Sequence, residues 1–269
     1  MTVLPYRLCA LDLDDTLLDS HQELSERNER AVQDILNKGV NVVLASGRIH
    51  SSALRFADKL NLDAPIISCN GAMVRTSRSN EIWLDESIPG DLCTPVMDYC
   101  EKHNLQLNYY RDDVVYSKEY TPWLQLYHTR TKVPLKLIPD FYAQMRGLSS
   151  TKLVIVDSPE RTDALAPIFK EMLGKYLYIT KTTDEYLEFM PLQANKGAAL
   201  RLVAERLGVD MSETLAFGDG NNDIPLLQAA GLGIAVGNAK PALKTVAGRV
   251  IGHHDEDSVG ATLEEIFGL

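Results

Sequence analysis

Four separate stretches of this chain combine acids, a hydroxyl and a lysine in patterns that suit chemistry. They are Asp12-Leu13-Asp14-Asp15-Thr16, Ser46-Gly47-Arg48, Asn195-Lys196-Gly197 and Gly218-Asp219-Gly220-Asn221-Asn222-Asp223. Three of them follow short apolar runs that read as buried strands, and in an open α/β sheet ligands bind outside the carboxyl ends of the strands. If those strands are neighbours, the carboxylates of Asp12, Asp14, Asp219 and Asp223 crowd together, at high electrostatic cost unless a cation is present. Oxygen ligands without Cys or His select a hard ion, and Mg²⁺ is the usual partner of phosphates. The Lys196 ammonium and the Ser46 hydroxyl then suit phosphoryl oxygens, and backbone N–H groups around Leu13 and Gly47 add donors. Acids, one lysine, one hydroxyl and a metal make a phosphoryl-transfer site.

The elements that must hold these residues are legible in the same way. Residues 8–13 form an apolar run ending in acid. Ser25 offers an N-cap to a helix whose apolar face is Ala31, Val32, Ile35 and Leu36, with Gly39 beyond it. Residues 40–45 are a β-branched run, a second helix carries Ala53, Leu54, Ala57 and Leu60, and Pro65–Ser68 makes the next strand. The last third resumes the rhythm: a helix opening at Lys196 and ending before Gly208, a strand over 214–217, a helix over 224–230, strands over 232–236 and 250–251, and a terminal helix. This alternation predicts an α/β fold with a doubly wound, mostly parallel sheet.

The middle of the chain differs. Residues 85–191 hold every tyrosine except Tyr6 and only three of the 17 glycines. Runs at 105–110, 114–117, 152–156, 176–180 and 186–189 read as antiparallel strands, and Ser158-Pro159 starts a helix that Gly174 ends. The expected organisation is therefore a discontinuous core, 1–84 and 191–269, with an α+β domain inserted over 85–190.

Composition narrows the function classes. A chain of 269 residues, 45% hydrophobic and 24% charged, has ample core for independent stability. No apolar run approaches the roughly 18 residues that span a bilayer, and early acids spoil any secretory leader, so a cytoplasmic protein with no membrane partner is expected. A net charge of −10 leaves no basic stripe for nucleic acid. Cys9, Cys69, Cys93 and Cys100 show no metal-binding or disulfide spacing and read as thiols without chemistry in a reducing compartment.

Together the four stretches resemble the four ordered motifs of the haloacid dehalogenase (HAD) superfamily, and the long insertion between the second and third resembles its Cof-type sugar-phosphatase branch. The resemblance implies a HAD-like core with a cap domain that closes over the site and reads the substrate. It implies Asp12 as nucleophile, forming an aspartyl-phosphate, and Asp14 as the acid that protonates the leaving alcohol and then the base that activates water. Mg²⁺ would be held by Asp12, the main-chain carbonyl of Asp14, and Asp219. Ser46, Gly47, Lys196 and Asn222 would bind phosphate, with Asp223 orienting Lys196 or a metal-bound water. The sequence departs from the branch at Asp15, where glycine is common. Asp tolerates positive φ better than most residues, and it adds a charge near the ion.

Other residues read more plainly. Arg48 is balanced between substrate contact and a surface ion pair. His253-His254-Asp255-Glu256-Asp257 reads as a solvated loop feeding the last helix. Tyr109, Tyr110, Trp123 and Tyr127 read mainly as the core of the inserted sheet, and His128 and Arg130 are weaker substrate-contact candidates. The expectation that results is a Mg²⁺-dependent hydrolase of small phosphorylated metabolites, sugar phosphates foremost, acting as a monomer or weak dimer. The alternatives are a phosphomutase of the same superfamily and a non-catalytic aspartyl-phosphate signalling protein. Everything rests on distant acids converging on one cation beside one ammonium.

Overall fold

The computed structural model describes residues 4–269. The first segment contributes β1 (Leu8–Leu11), α1 (Glu26–Asn37), β2 (Asn41–Ala45), α2 (His50–Lys59), β3 (Pro65–Ser68), β4 (Met73–Thr76) and β5 (Ile82–Asp85). The middle contributes α3 (Gly90–His103), β6 (Gln106–Arg111), β7 (Val114–Ser117), α4 (Pro122–Thr131), β8 (Leu135–Leu137), α5 (Phe141–Met145), β9 (Lys152–Val156), α6 (Pro159–Leu173), β10 (Leu177–Lys181) and β11 (Tyr186–Pro191). The last segment contributes α7 (Lys196–Leu207), β12 (Thr214–Gly218), α8 (Ile224–Ala229), β13 (Leu232–Ala235), α9 (Pro241–Val246), β14 (Arg249–Val250) and α10 (Ser258–Phe267).

The chain divides into two compact units, 1–84 with 195–269, and 85–194. The second boundary falls four residues beyond the one expected at 190/191. The reason is local: Pro191 is still in register with Leu177 on β10, so β11 belongs to the second sheet through its last residue.

In the first unit eight strands run in the order β14-β13-β12-β1-β2-β3-β4-β5. β1 is parallel to both neighbours, with Leu8 opposite Thr214 on β12 and Asn41 on β2. All four of its residues are fully buried, as expected of a central parallel strand covered on both faces. The chain order runs outward through β2 and β3 on one side of β1 and through β12, β13 and β14 on the other. The boundary between β1 and β12 is thus the topological switch point, where an open sheet of this kind leaves a crevice. β4 and β5 were not legible in the sequence; β4 is antiparallel to β3 and extends the sheet beyond its parallel part. Around the sheet, α1 shows how sequence sets local structure. Ser25 Oγ accepts from Asn28 N at 3.1 Å, Ala31, Val32 and Ile35 face the core, and Gly39 follows with φ of 88°.

The second unit holds six strands in the order β10-β11-β9-β6-β7-β8, antiparallel apart from the β7–β8 pair. Leu107, Tyr109, Leu153, Ile155, Leu187 and Phe189 join helix residues such as Cys100, Phe141 and Phe169 in its core. Tyr109, Tyr110 and Tyr127 are buried, in keeping with a packing role, whereas Trp123 is half-buried. Arg130 pairs with Glu185 and His128 Nδ1 lies 3.4 Å from the Tyr120 hydroxyl. All four cysteines are free and buried. No helix among the described residues is long and apolar enough to cross a membrane.

Candidate active site

Asp12 stands one residue beyond β1, with its N–H bonded to the Phe217 carbonyl across the switch point at 3.2 Å. That bond sets the end of β1 beside the end of β12, so Asp12 and Asp219 project from adjacent strand ends. Carboxylate oxygens of Asp12, Asp219 and Asp223 lie within 4.8 Å of one another. Donors in an octahedral shell at 2.0–2.1 Å are about 2.9 Å apart when adjacent and about 4.2 Å when opposite. An all-oxygen cluster of this size is compatible with a hard divalent cation once its widest separation contracts to that range.

Lys196 reaches the same place from the first turn of α7. Its side chain is fully buried, with Nζ 2.7 Å from Asp12 Oδ1 and 2.6 Å from Asp223 Oδ1. An ammonium in the first turn of a helix opposes the helix dipole, and burial alone would drive it neutral. Burial is the largest influence on Lys196 and pulls its pKa down, but the two carboxylates more than reverse it, and the net shift is upward. Two glycines allow the approach. A Cβ on Gly197 would meet the Pro225 carbonyl oxygen at 2.1 Å, and one on Gly71, at φ of 98°, would meet the Asn195 carbonyl oxygen at 2.3 Å. Both contacts bring backbone against the start of α7 more closely than any other residue permits.

The acids carry more charge than one lysine balances. Burial, then the neighbouring Asp223, push Asp12 up to about 7 despite Lys196. Burial, then Asp12 and Asp223, push Asp219 up to about 9. Asp223 spends both oxygens within the protein: Oδ1 on Lys196, and Oδ2 on the N–H groups of Asp219 and Gly220 at 3.1 and 3.0 Å. It thus fixes both the ammonium and the loop that carries Asp219.

Asp14 lies apart from the cluster. Its backbone is extended, and its carboxylate takes Arg48 Nε at 2.9 Å and Nη2 at 2.5 Å. Arg48 thereby forms an ion pair, one of the two readings the sequence offered. It is largely buried, forks onto Asp14, reaches Gln22, and lies over the Phe56 ring at 5.1 Å. Asp15 adopts φ of 55°, the left-handed conformation for which glycine is the easy choice, and its carbonyl accepts from Asn238 Nδ2.

Ser46 is fully buried at the end of β2, its Oγ accepting from Arg48 N at 3.1 Å. Leu13 is buried, and its carbonyl oxygen is bonded to Leu18 N. A residue that sequence reasoning passed over ties these parts together. Asn70, in the turn after β3, donates its N–H to the Ser46 carbonyl at 3.0 Å, and its Oδ1 accepts from Asn222 Nδ2 at 3.0 Å. That Oδ1 also presses on Gly47, 2.9 Å from where a Cβ would stand. The signal was the Asn-Gly pair at a strand end, on the same edge as the other motifs.

The model of the haloacid dehalogenase-like hydrolase family matches residues 9–263. The chain belongs to that family. Among relatives, it is 30% identical to the 5-amino-6-(5-phospho-D-ribitylamino)uracil phosphatase YcsE of Bacillus subtilis, over 96% of this chain and 94% of that one. TM0651 from Thermotoga maritima has a crystal structure with a TM-score of 0.87 and 32% identity, covering 97% of both chains. The HAD subclass IIB sugar phosphatase BT4131 shares the fold, with a TM-score of 0.82 at 20% identity over 97% of this chain and 99% of that one. This HAD hydrolase is accordingly a phosphatase enzyme with a Rossmann-like core and an inserted α+β domain.

Proposed function

We propose that this phosphatase is Mg²⁺-dependent and hydrolyses small phosphorylated metabolites, sugar phosphates foremost, through an aspartyl-phosphate on Asp12. The observation that carries the reading is the Asp12 carboxylate, held 2.7 Å from a buried ammonium and within 4.8 Å of a second carboxylate. Asp12, Asp219 and the main-chain carbonyl of Asp14 would hold the ion. Bound there, it would offset the charge of the carboxylates and of the phosphoryl group. The Asp12 carboxylate attacks phosphorus while Lys196, Ser46, the Gly47 N–H and Asn222 bind the non-reacting phosphoryl oxygens. Asp14, once one oxygen leaves Arg48 and takes up a proton from solvent, gives that proton to the departing alkoxide as the P–O bond breaks, then takes one from the water that opens the aspartyl-phosphate. The inserted unit, whose sequence is independent of the motifs, is assigned to substrate choice. Four buried thiols suit a reducing compartment, and we place the enzyme in the cytoplasm.

A second acid two residues after the nucleophile favours a phosphatase over a signalling protein, because it hastens loss of the phosphoryl group. The direct test is Asp12→Asn with p-nitrophenyl phosphate. Turnover should vanish while the circular dichroism spectrum and Tm stay those of a folded protein, and EDTA should abolish activity in a way that Mg²⁺ restores. Retained turnover in the Asn variant removes Asp12 as nucleophile. A screen of phosphorylated metabolites then ranks the substrates, and a requirement for a bisphosphate activator would mark a mutase.

A further inference from the structure

A second group of ligating side chains lies in the first unit at His253, His254 and Asp255, the segment that reads as a solvated loop. One ligand atom from each residue falls within 4.8 Å of the others. Asp255 Oδ2 is 3.6 Å from His253 Nδ1 and 3.8 Å from His254 Nε2. Donors around a tetrahedral ion bonded at 2.0–2.1 Å stand about 3.3 Å apart. Two of the three edges thus close with shifts of a few tenths of an ångström.

We propose that His253, His254 and Asp255 form a second cation site, distinct from the carboxylate cluster. It would take one divalent ion of the zinc class, with water in the fourth position. Two imidazole nitrogens and one carboxylate suit borderline ions, whereas the all-oxygen cluster suits a hard one.

The hydrogen bonds behind the ligands support this beyond mere proximity. The Leu18 carbonyl can only accept, so its 2.8 Å contact with His254 Nδ1 puts the proton there and leaves the neutral ring's lone pair on Nε2. That Nε2 faces Asp255 at a distance too long for a hydrogen bond. His254 is 6% exposed, so its ring is held in place. The other Asp255 oxygen, Oδ1, is taken by the Ser20 N–H at 2.8 Å. Two of the three ligands are therefore oriented in advance by the same short stretch of chain, the arrangement that strengthens metal sites. His253 is the adjustable third ligand. It is partly exposed, and its Nδ1 accepts only a long N–H bond of 3.3 Å from Asp255, which coordination would replace. Asn238 links the site to the nucleophile's loop, accepting from His254 N at 3.2 Å and donating to the Asp15 carbonyl at 2.8 Å. An ion there would stiffen the turn that follows Asp12, without entering the reaction.

The test uses the full chain, stripped with EDTA and then kept in millimolar Mg²⁺ so that the carboxylate cluster is filled. Co²⁺ is titrated and followed by its visible absorption, and Zn²⁺ by calorimetry. The expected result is one Zn²⁺ per chain at micromolar concentration, intense tetrahedral Co²⁺ bands and a raised Tm. His253→Ala alters a partly exposed side chain and should stay folded; it should weaken binding at least about tenfold. His254→Gln should do the same, while Asp219→Asn should keep the bands. No binding at micromolar Zn²⁺ overturns the proposal. So do bands that survive His253→Ala and are lost in Asp219→Asn, since the ion would then sit among the carboxylates. Neither result depends on turnover, so the phosphatase reading stands or falls separately.

Discussion

At Asp14 a guanidinium fork occupies both oxygens of the group proposed to protonate the leaving alkoxide. A fork fixes direction as well as charge, and a lysine in its place keeps only the charge. Arg48→Lys should therefore lower kcat/KM about tenfold or more for alkyl phosphates, whose leaving groups need the proton. For p-nitrophenyl phosphate, whose phenolate leaves unaided, kcat/KM should scarcely change. Equal losses on both substrates would show that Arg48 does not act through Asp14. Asp15 carries a charge where the branch commonly has glycine. Asp15→Asn keeps a residue tolerant of φ near 55° and removes the charge. We expect Mg²⁺ activation to weaken by roughly two- to tenfold, with kcat at saturating Mg²⁺ unchanged. The motif acids and Lys196 were legible in the sequence because a charge at the end of a buried strand or the start of a buried helix is costly unless an opposite charge meets it there. Asn70 was not, because an Asn-Gly pair is first of all a turn, and only the fold shows it touching two motifs at once. The partner of Arg48 was equally hidden, since 34 residues separate it from Asp14.

Among elements, α7 has the most exacting position. Its first residue must enter the carboxylate cluster, and its second must leave room for the Pro225 carbonyl. Gly197→Ala forces that backbone apart and should destabilise the protein by about 1–3 kcal/mol, the usual range for overpacking. The displacement also moves Lys196, so kcat should fall by more than the loss of folded protein explains. Chemical denaturation and turnover on the same samples separate the two effects. In both sheets many strands and their helices followed from period and caps: Pro65–Ser68, Val114–Ser117 and Lys152–Val156 have the bounds their sequences suggest. The β4–β5 hairpin did not, because each strand has four residues and neither is wholly buried, which leaves a weak alternating signal. Likewise β11 runs on to include the proline expected to lie beyond it. Pro191 is the strand's final residue, where a missing N–H costs little.

For the whole molecule, the carboxylate cluster couples protons, cations and stability. Asp12 and Asp219 have folded pKa values near 7 and 9 against an ordinary value of 3.8. Over that interval the folded state binds more protons than the unfolded one, so stability falls as pH rises. Between pH 7 and 9 histidines and ordinary carboxylates no longer titrate, and there the EDTA-treated protein should lose Tm as pH increases. Mg²⁺ should restore it, by an increment that grows with pH, because the ion replaces the protons that are lost. Asp219→Asn should flatten both trends in a thermal-shift series. The pairing of Leu8 with Thr214 has a further consequence, felt during synthesis. On the ribosome, β1 waits for a neighbour encoded some two hundred codons downstream, and Asp12 cannot meet its ammonium until α7 has emerged. A nascent chain halted inside the insertion thus presents Asp12 without a counter-charge, and contacts of such long range favour slow, late closure of the fold. Catalytic competence should accordingly appear only at the end of translation, and fragments that stop before Asp223 should be chemically silent.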